Sequence, residues 1–187
     1  MREFQRIDDQ LVTDLEEVEV ALLTSLVSQV DELLGGAGER AAAPGASDPF
    51  AAWESEFAAG VALDRTDPVI GRLFPDAYAD DESAAAEYRR YAAEAQRRAR
   101  VEDNRVVLAA LAATDGGATP LVIATDEVGA WIKTLNGVRL SLAVRLGIES
   151  EADHRRLERL SLGDPRTQVV AIYDWLAMVL ESILESL

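Results

Sequence analysis

The side chains in this sequence that could do chemistry are few. There is one histidine, His154, flanked by Asp153, Arg155 and Arg156, and no cysteine. Without cysteine there can be no disulfide, thiolate metal site, cysteine nucleophile or thiol redox switch, and a single imidazole excludes a multi-histidine metal site within one chain. The polar neighbours of His154 place it on a solvated helix face, and no serine has a second histidine to serve as a relay. The segment GGAG at 35–38 lacks the strand and the lysine that a phosphate-cradling loop requires. The carboxylates Asp76, Asp80, Asp81 and Glu82 offer the oxygen donors that magnesium or calcium takes. The same four residues suit the start of a long helix, where negative charge offsets the exposed amides, and that is the simpler reading. The expectation is a non-enzymatic protein without cofactor or metal, with a metal-dependent enzyme as the remotest alternative.

Cationic side chains make the second group. Arg89, Arg90, Arg97, Arg98, Arg100 and Arg105 fall on one half of a helix, spread over about four turns and opposed by Glu94, Glu102 and Asp103. Such a half-face reads as a solvated surface with intrahelical ion pairs, as a dock for acidic segments, or as an interaction surface for nucleic acid. A second hint of DNA binding is LAVRLGIESEADHRRLERL at 142–160, with a helix-turn-helix-like Leu-Gly-Ile turn. Two features oppose it. The preceding helix spans about five turns, where the motif uses a short one. Glu149, Glu151 and Asp153 would also meet the phosphates first. The net charge of −16, from 34 acidic and 18 basic residues, likewise opposes a broad DNA-binding surface and favours a basic protein partner.

The elements that must position these residues follow from apolar spacing. Thr125 to Gly147 is the segment around which the rest is expected to pack. Thr125 or Asp126 can cap it, Gly147 can end it in the left-handed conformation, and Val128, Trp131, Ile132, Leu135, Val138, Leu142 and Leu146 form its stripe. Leu140 and Val144 add a second apolar face, as expected of a central helix. The polar residues Asn136, Arg139 and Arg145 on this helix, with Asp174 on the last one, are the candidates for a structural polar cluster, with carboxylates of neighbouring helices as partners.

Phe4–Ile7 and Gln10–Thr13, around Asp8 and Asp9, read as a hairpin, and LVIA at 121–124 as a strand that joins it in one small sheet. Asp14 with Glu17 has capping-box spacing, and Leu15, Val18, Leu22, Leu26, Val30 and Leu33 continue one face to Gly35. Residues 35–47 read as a flexible loop. Asp48-Pro49, Asp67-Pro68 and Asp164-Pro165 mark helix starts, the first followed by Phe50, Trp53 and Phe57. A long helix is expected from Asp81 to Ala113, with Tyr88, Ala92, Ala95, Ala99 and Val106 on its apolar face, and Asp115, Gly116 and Gly117 turning the chain after it. Ser150 with Asp153 starts another helix, which runs to about Leu160. The last begins at Pro165, with Val169, Ile172, Tyr173, Leu176, Leu180, Ile183 and Leu187 on its core stripe. Trp175, Met178, Val179 and Leu184 are left over as apolar surface, which suggests a homodimer.

Several strings together resemble a known family. RLFPDAY at 72–78 with Asp81, EYRRY at 87–91, WIKTLNGVRLSLAVRLGI at 131–148, Asp164-Pro165 and YDWL at 173–176 are similar to the actinobacterial AosR-like family, a family of unknown function with an oxidative-stress transcriptional regulator as its named member. The resemblance spans Asp14 to Leu187 and implies a cytoplasmic regulator acting through the transcription machinery. The redox sensing attributed to that family uses a paired-cysteine motif with no counterpart here.

The sequence therefore predicts one mainly α domain over 1–187, a helical bundle around a central helix at about 126–146 with a minor β element. The lack of an uncharged apolar run of 18 residues and of an apolar leader predicts a cytoplasmic protein with no membrane span. The expected activity is regulation through a protein partner such as a sigma factor, with DNA binding as the alternative.

Overall fold

The computed structural model describes residues 2–35, 66–75, 82–161 and 163–187, without the side chains of 82–91. The expected loop at 36–47, the expected helix at Phe50, Trp53 and Phe57, and Asp76, Asp80 and Asp81 lie outside the described residues, as does the side chain of Glu82. The chain is mainly α with one small sheet. Strands β1 (Gln5–Ile7) and β2 (Gln10–Thr13) form the hairpin, and β3 (Leu121–Ala124) adds to β2, all antiparallel, in the order β1-β2-β3. Register pairs Leu11 with Ile123 and Thr13 with Leu121, so these four side chains share the buried face. Val122 and Ile7 point to solvent.

Helix α1 (Glu17–Leu33) starts two residues later than the Asp14–Glu17 spacing suggests. Its capping box is Glu16 with Glu19, and the Glu19 carboxylate accepts the Glu16 amide at 2.9 Å. Its buried stripe is Val20, Leu23, Val27, Val30 and Leu34, while Val18, expected inside, is 67% exposed. Leu15 lies ahead of the helix, so a stripe that starts there runs off the core-facing side at Val18. Helix α2 (Pro68–Leu73) is the clearest Asp-Pro start, with Asp67 accepting from the Val69 amide at 2.7 Å. Helix α3 (Glu82–Ala113) has the expected length but faces the other way. Ala95 and Ala99 are exposed, whereas Arg97, Val101, Asn104, Val107 and Leu111 are buried. Spacings of three and four put these five on one face, with two polar residues inside it.

Helix α4 (Val128–Leu146) ends at Gly147, whose φ of 69° gives the left-handed cap that glycine adopts without strain. Its start differs from expectation. Glu127 is the cap residue, and the Thr125 hydroxyl donates to the Asp9 carbonyl at 2.6 Å, tying β3 to the hairpin turn. The helix packs against α1, α2, α3 and α6 (Arg166–Glu185), and so is central. Between it and α6 lies α5 (Glu151–Leu157), capped by Ser150 and Asp153 as their spacing predicts. Asp164 accepts from the Arg166 amide at 2.9 Å and pairs with its guanidinium, which holds the Asp164 carboxyl down at about 2.

Leu176, Val179, Leu180 and Ile183 bury α6 in the core. Leu187, expected on that stripe, is 55% exposed because the helix ends at Glu185 and the chain leaves the core. Strand β1 is stitched to α6. The Phe4 amide donates to Ser182 Oγ at 2.9 Å, the Ser186 hydroxyl donates to the Phe4 carbonyl at 2.9 Å, and Arg6 donates to the Leu187 carbonyl at 2.6 Å.

Candidate functional site

The polar residues of α4 divide between its two sides. On the side facing α1 and α3 they are engaged. The Thr134 hydroxyl donates to Asn104 Oδ1 at 3.2 Å, and the Asn104 amide approaches Asp31 Oδ1 at 3.5 Å, which joins three helices through buried side chains. Lys133 reaches Asp103 at 3.4 Å. Sequence reasoning missed this knot, because the three partners lie 30 and 73 positions apart and none breaks a hydrophobic pattern conspicuously.

On the side facing α6 the arrangement is open. Two clefts meet there at Arg139 and Ala177, one of about 560 Å³ along α4 and α6 and one of about 450 Å³ where Arg72, α5 and the start of α6 converge. Arg139 lies between them with its guanidinium carbon 4.5 Å from the centre of the Tyr173 ring. Its Nε is buried without an acceptor, and no ion pair joins Arg139 to another described residue. The carboxylate partner expected for it is therefore replaced by an aromatic face, an interaction worth roughly 0.5–2 kcal/mol that leaves the N–H donors free. Of the other expected cluster members, Asn136 is exposed on the wall of the larger cleft, Asp174 lines the smaller one, and Arg145 is exposed outside both. Arg139 therefore shares the larger cleft with Asn136 and the smaller one with Asp174, while Arg145 joins neither.

Asp174 has a partner the sequence did not suggest. His154 is half-buried rather than solvated, and its Nε2 lies 2.7 Å from Asp174 Oδ1. A carboxylate can only accept, so Nε2 carries the shared proton and Nδ1 is left facing Glu158 at 3.9 Å. The ring also tilts against Tyr173, centroid to centroid 5.6 Å. An imidazole oriented by a carboxylate is half of a general-base pair, but the other half requires a nucleophile on the free nitrogen. The aliphatic hydroxyl lining this cleft belongs to Ser150, and it donates to Asp153 at 2.8 Å. Asp153 also accepts backbone amides and Arg156, contacts that hold its carboxyl below the usual range with the Ser150 hydroxyl foremost. The pair thus fastens α5 to α6 and does not form a catalytic relay. Among the described residues no group of three or more acidic, histidine or cysteine side chains could hold a metal.

The arginine half-face of α3 is largely consumed by the fold. Arg97, expected at the surface, is 1% exposed, donates to the Leu34 carbonyl at 2.8 Å and forks onto Glu94 at 2.7 and 2.9 Å. Its guanidinium holds the Glu94 carboxyl below the usual range. Arg97 thereby supplies a donor to the end of α1, whose last carbonyls have no helical partner. Arg100 is half-buried, donates to the Leu73 carbonyl at 3.1 Å and stacks on Phe74 at 5.3 Å, and burial lowers its pKa. Arg98 and Arg105 stay at the surface, paired with Glu94 and Glu102. The side chains of Arg89 and Arg90 lie outside the described ones.

The apolar surplus of α6 is real but not one patch. Val179 is buried in the core, which corrects its expected place at a surface. Met178 and Leu184 are 56% and 55% exposed, yet six positions at about 100° each set them roughly 120° apart around the helix. Leu184 lines the larger cleft, and Trp175 is half-buried on the Met178 side. The helix is long and apolar enough to cross a membrane by length and composition, with a mean hydropathy of 1.4 of which only 33% of the window is buried.

No curated protein and no solved structure matches this chain. A model of the family described as Domain of unknown function (DUF2017) matches residues 1–187, the whole sequence, and the chain belongs to that family.

Proposed function

We propose that this protein is a non-enzymatic, cytoplasmic regulator that acts by binding another protein, with a basic segment of a transcription component such as a sigma factor as the partner class. The observation that carries this reading is α6, which exposes Met178 and Leu184 on two sides although it is the helix richest in apolar side chains. Exposed apolar surface beside Glu181 and Glu185 suits an amphipathic, basic partner helix, and the net charge of −16 would speed its approach. The resemblance to the actinobacterial AosR-like family points the same way, while the absence of cysteine separates this chain from thiol-based oxidative-stress sensing.

DNA binding is the poorer reading. Arg97 and Arg100 are committed to backbone carbonyls, and the seven-residue α5 is acidic at its start and pinned to α6 by His154. The test is a pull-down with the tagged full chain from lysate of the source organism, with and without nuclease, read by mass spectrometry. A transcription component that survives nuclease, and is lost when Met178 is changed to Glu, supports the proposal. Recovery that vanishes with nuclease, together with strongly salt-dependent binding of duplex DNA, would replace it. A second copy of the chain could cover the same helix, and a solution mass that stays monomeric at all concentrations would remove that version.

A further inference from the structure

We infer that the α4–α6 groove is a binding site for a small amphiphilic carboxylate whose head group is received by Arg139. A half-buried guanidinium with a buried, unpaired Nε is an expensive thing for a fold to keep, since burying a polar group without a partner works against stability. Arginine also presents its donors in a fork that fits a carboxylate with two parallel hydrogen bonds. Stacking on Tyr173 fixes the plane of that fork at the junction of the two clefts.

The surroundings decide which way the ligand lies. The smaller cleft carries Glu149, Glu151 and Asp174, which repel an anion. The larger one offers the exposed Asn136 amide beside Arg139, over a floor of Ile132, Leu180 and Leu184, with Lys133, paired to Asp103, at its margin and Glu181 as its one acidic side chain. The head group therefore sits between Arg139 and Asn136, and the apolar tail runs over Ile132 toward Leu184. At about 560 Å³ the cleft has the size of a small-molecule site, roughly 300–1,000 Å³. In a chain without cysteine, such a ligand would be a signal that needs no thiol. The groove shares Leu184 and Glu181 with the surface proposed for a protein partner, whereas Met178 lies outside it, so Arg139→Met and Met178→Glu test the two readings separately.

The experiment is calorimetric titration of the full chain with decanoate as the carboxylate probe and decanol as the uncharged control. Saturable decanoate binding is expected, with decanol at least roughly tenfold weaker, and Arg139→Met should weaken decanoate by at least the same factor. Arg145→Gln, an exposed arginine of the same helix outside the clefts, should leave it unchanged. Thermal melting separates this from a structural role. If Arg139 serves a ligand, Arg139→Met melts close to the parent's temperature, and decanoate raises the parent's melting temperature but not the variant's. Absence of saturable decanoate binding, equal binding of decanol, or undiminished binding by Arg139→Met would each overturn the inference.

Discussion

Arg97 and Arg139 show what the two sides of the central layer are for. Both are arginines on long helices, and the sequence places Arg97 on a polar half-face and Arg139 in a structural cluster on the central helix. Arg97 is sealed between α1 and α3, where a backbone carbonyl and a carboxylate take up its donors. Arg139 reaches the α6 side, where an aromatic ring supports it and nothing accepts from its Nε. A satisfied buried cation holds a fold together, whereas an unsatisfied one is held by the fold. This contrast is what the proposed site on the α6 side of α4 rests on.

The largest test of this contrast is Arg97→Met. It strips the Leu34 carbonyl of its donor and leaves Glu94 without its buried partner, and it should lower stability by about 3 kcal/mol or more, read by urea unfolding. Asn104→Ala comes next. It unties Thr134 from Asp31 and leaves a buried carboxylate, at about 2 kcal/mol. Acid sharpens the same side. Because Arg97 holds the folded Glu94 carboxyl below its ordinary value of 4.5, the stability it contributes is present above that value and lost as pH falls through the depressed one. Glu94→Gln should therefore flatten the fall in stability below about pH 4.5 and lower stability at neutral pH. On the α6 side the effects should be smaller. His154→Ala releases α5 from α6 at a partly exposed pair, so global stability should drop by less than about 1 kcal/mol while amide exchange in 151–157 rises. Arg139→Met gives up the stacking on Tyr173 but also removes the unpaired Nε, so stability should change by less than about 1 kcal/mol, and a clear loss there would erase the distinction between the two arginines.

The elements were largely legible in the sequence because caps and apolar periods are local. The hairpin, the third strand, Gly147 and the Ser150–Asp153 box all stand where their spacing put them. What was not legible was which face turned inward where polar residues are buried. Ala95 and Ala99 look like a core face, but the core of α3 contains Arg97 and Asn104, whose partners come from α1 and α4. The candidate site had the same difficulty. Arg139 and Asp174 could be named from their helices, yet His154 joins Asp174 only through the tertiary docking of α5. Arg145, exposed outside the clefts, had the same credentials in sequence as Arg139.

The stitching of β1 to α6 carries a consequence for how the chain reaches this state. The Phe4 and Ser182 partners are 178 positions apart, so strand β1 has its final neighbour in α6, far along the chain. Contacts of that span are slow to find, since the long loop must close before they are rewarded. The hairpin and α1 must therefore wait, half-covered, until α6 has been made. The acidic character of that waiting segment, with Asp8, Asp9, Asp14, Glu16, Glu17 and Glu19 among its first twenty residues, gives it the repulsion that keeps unfinished copies from meeting one another.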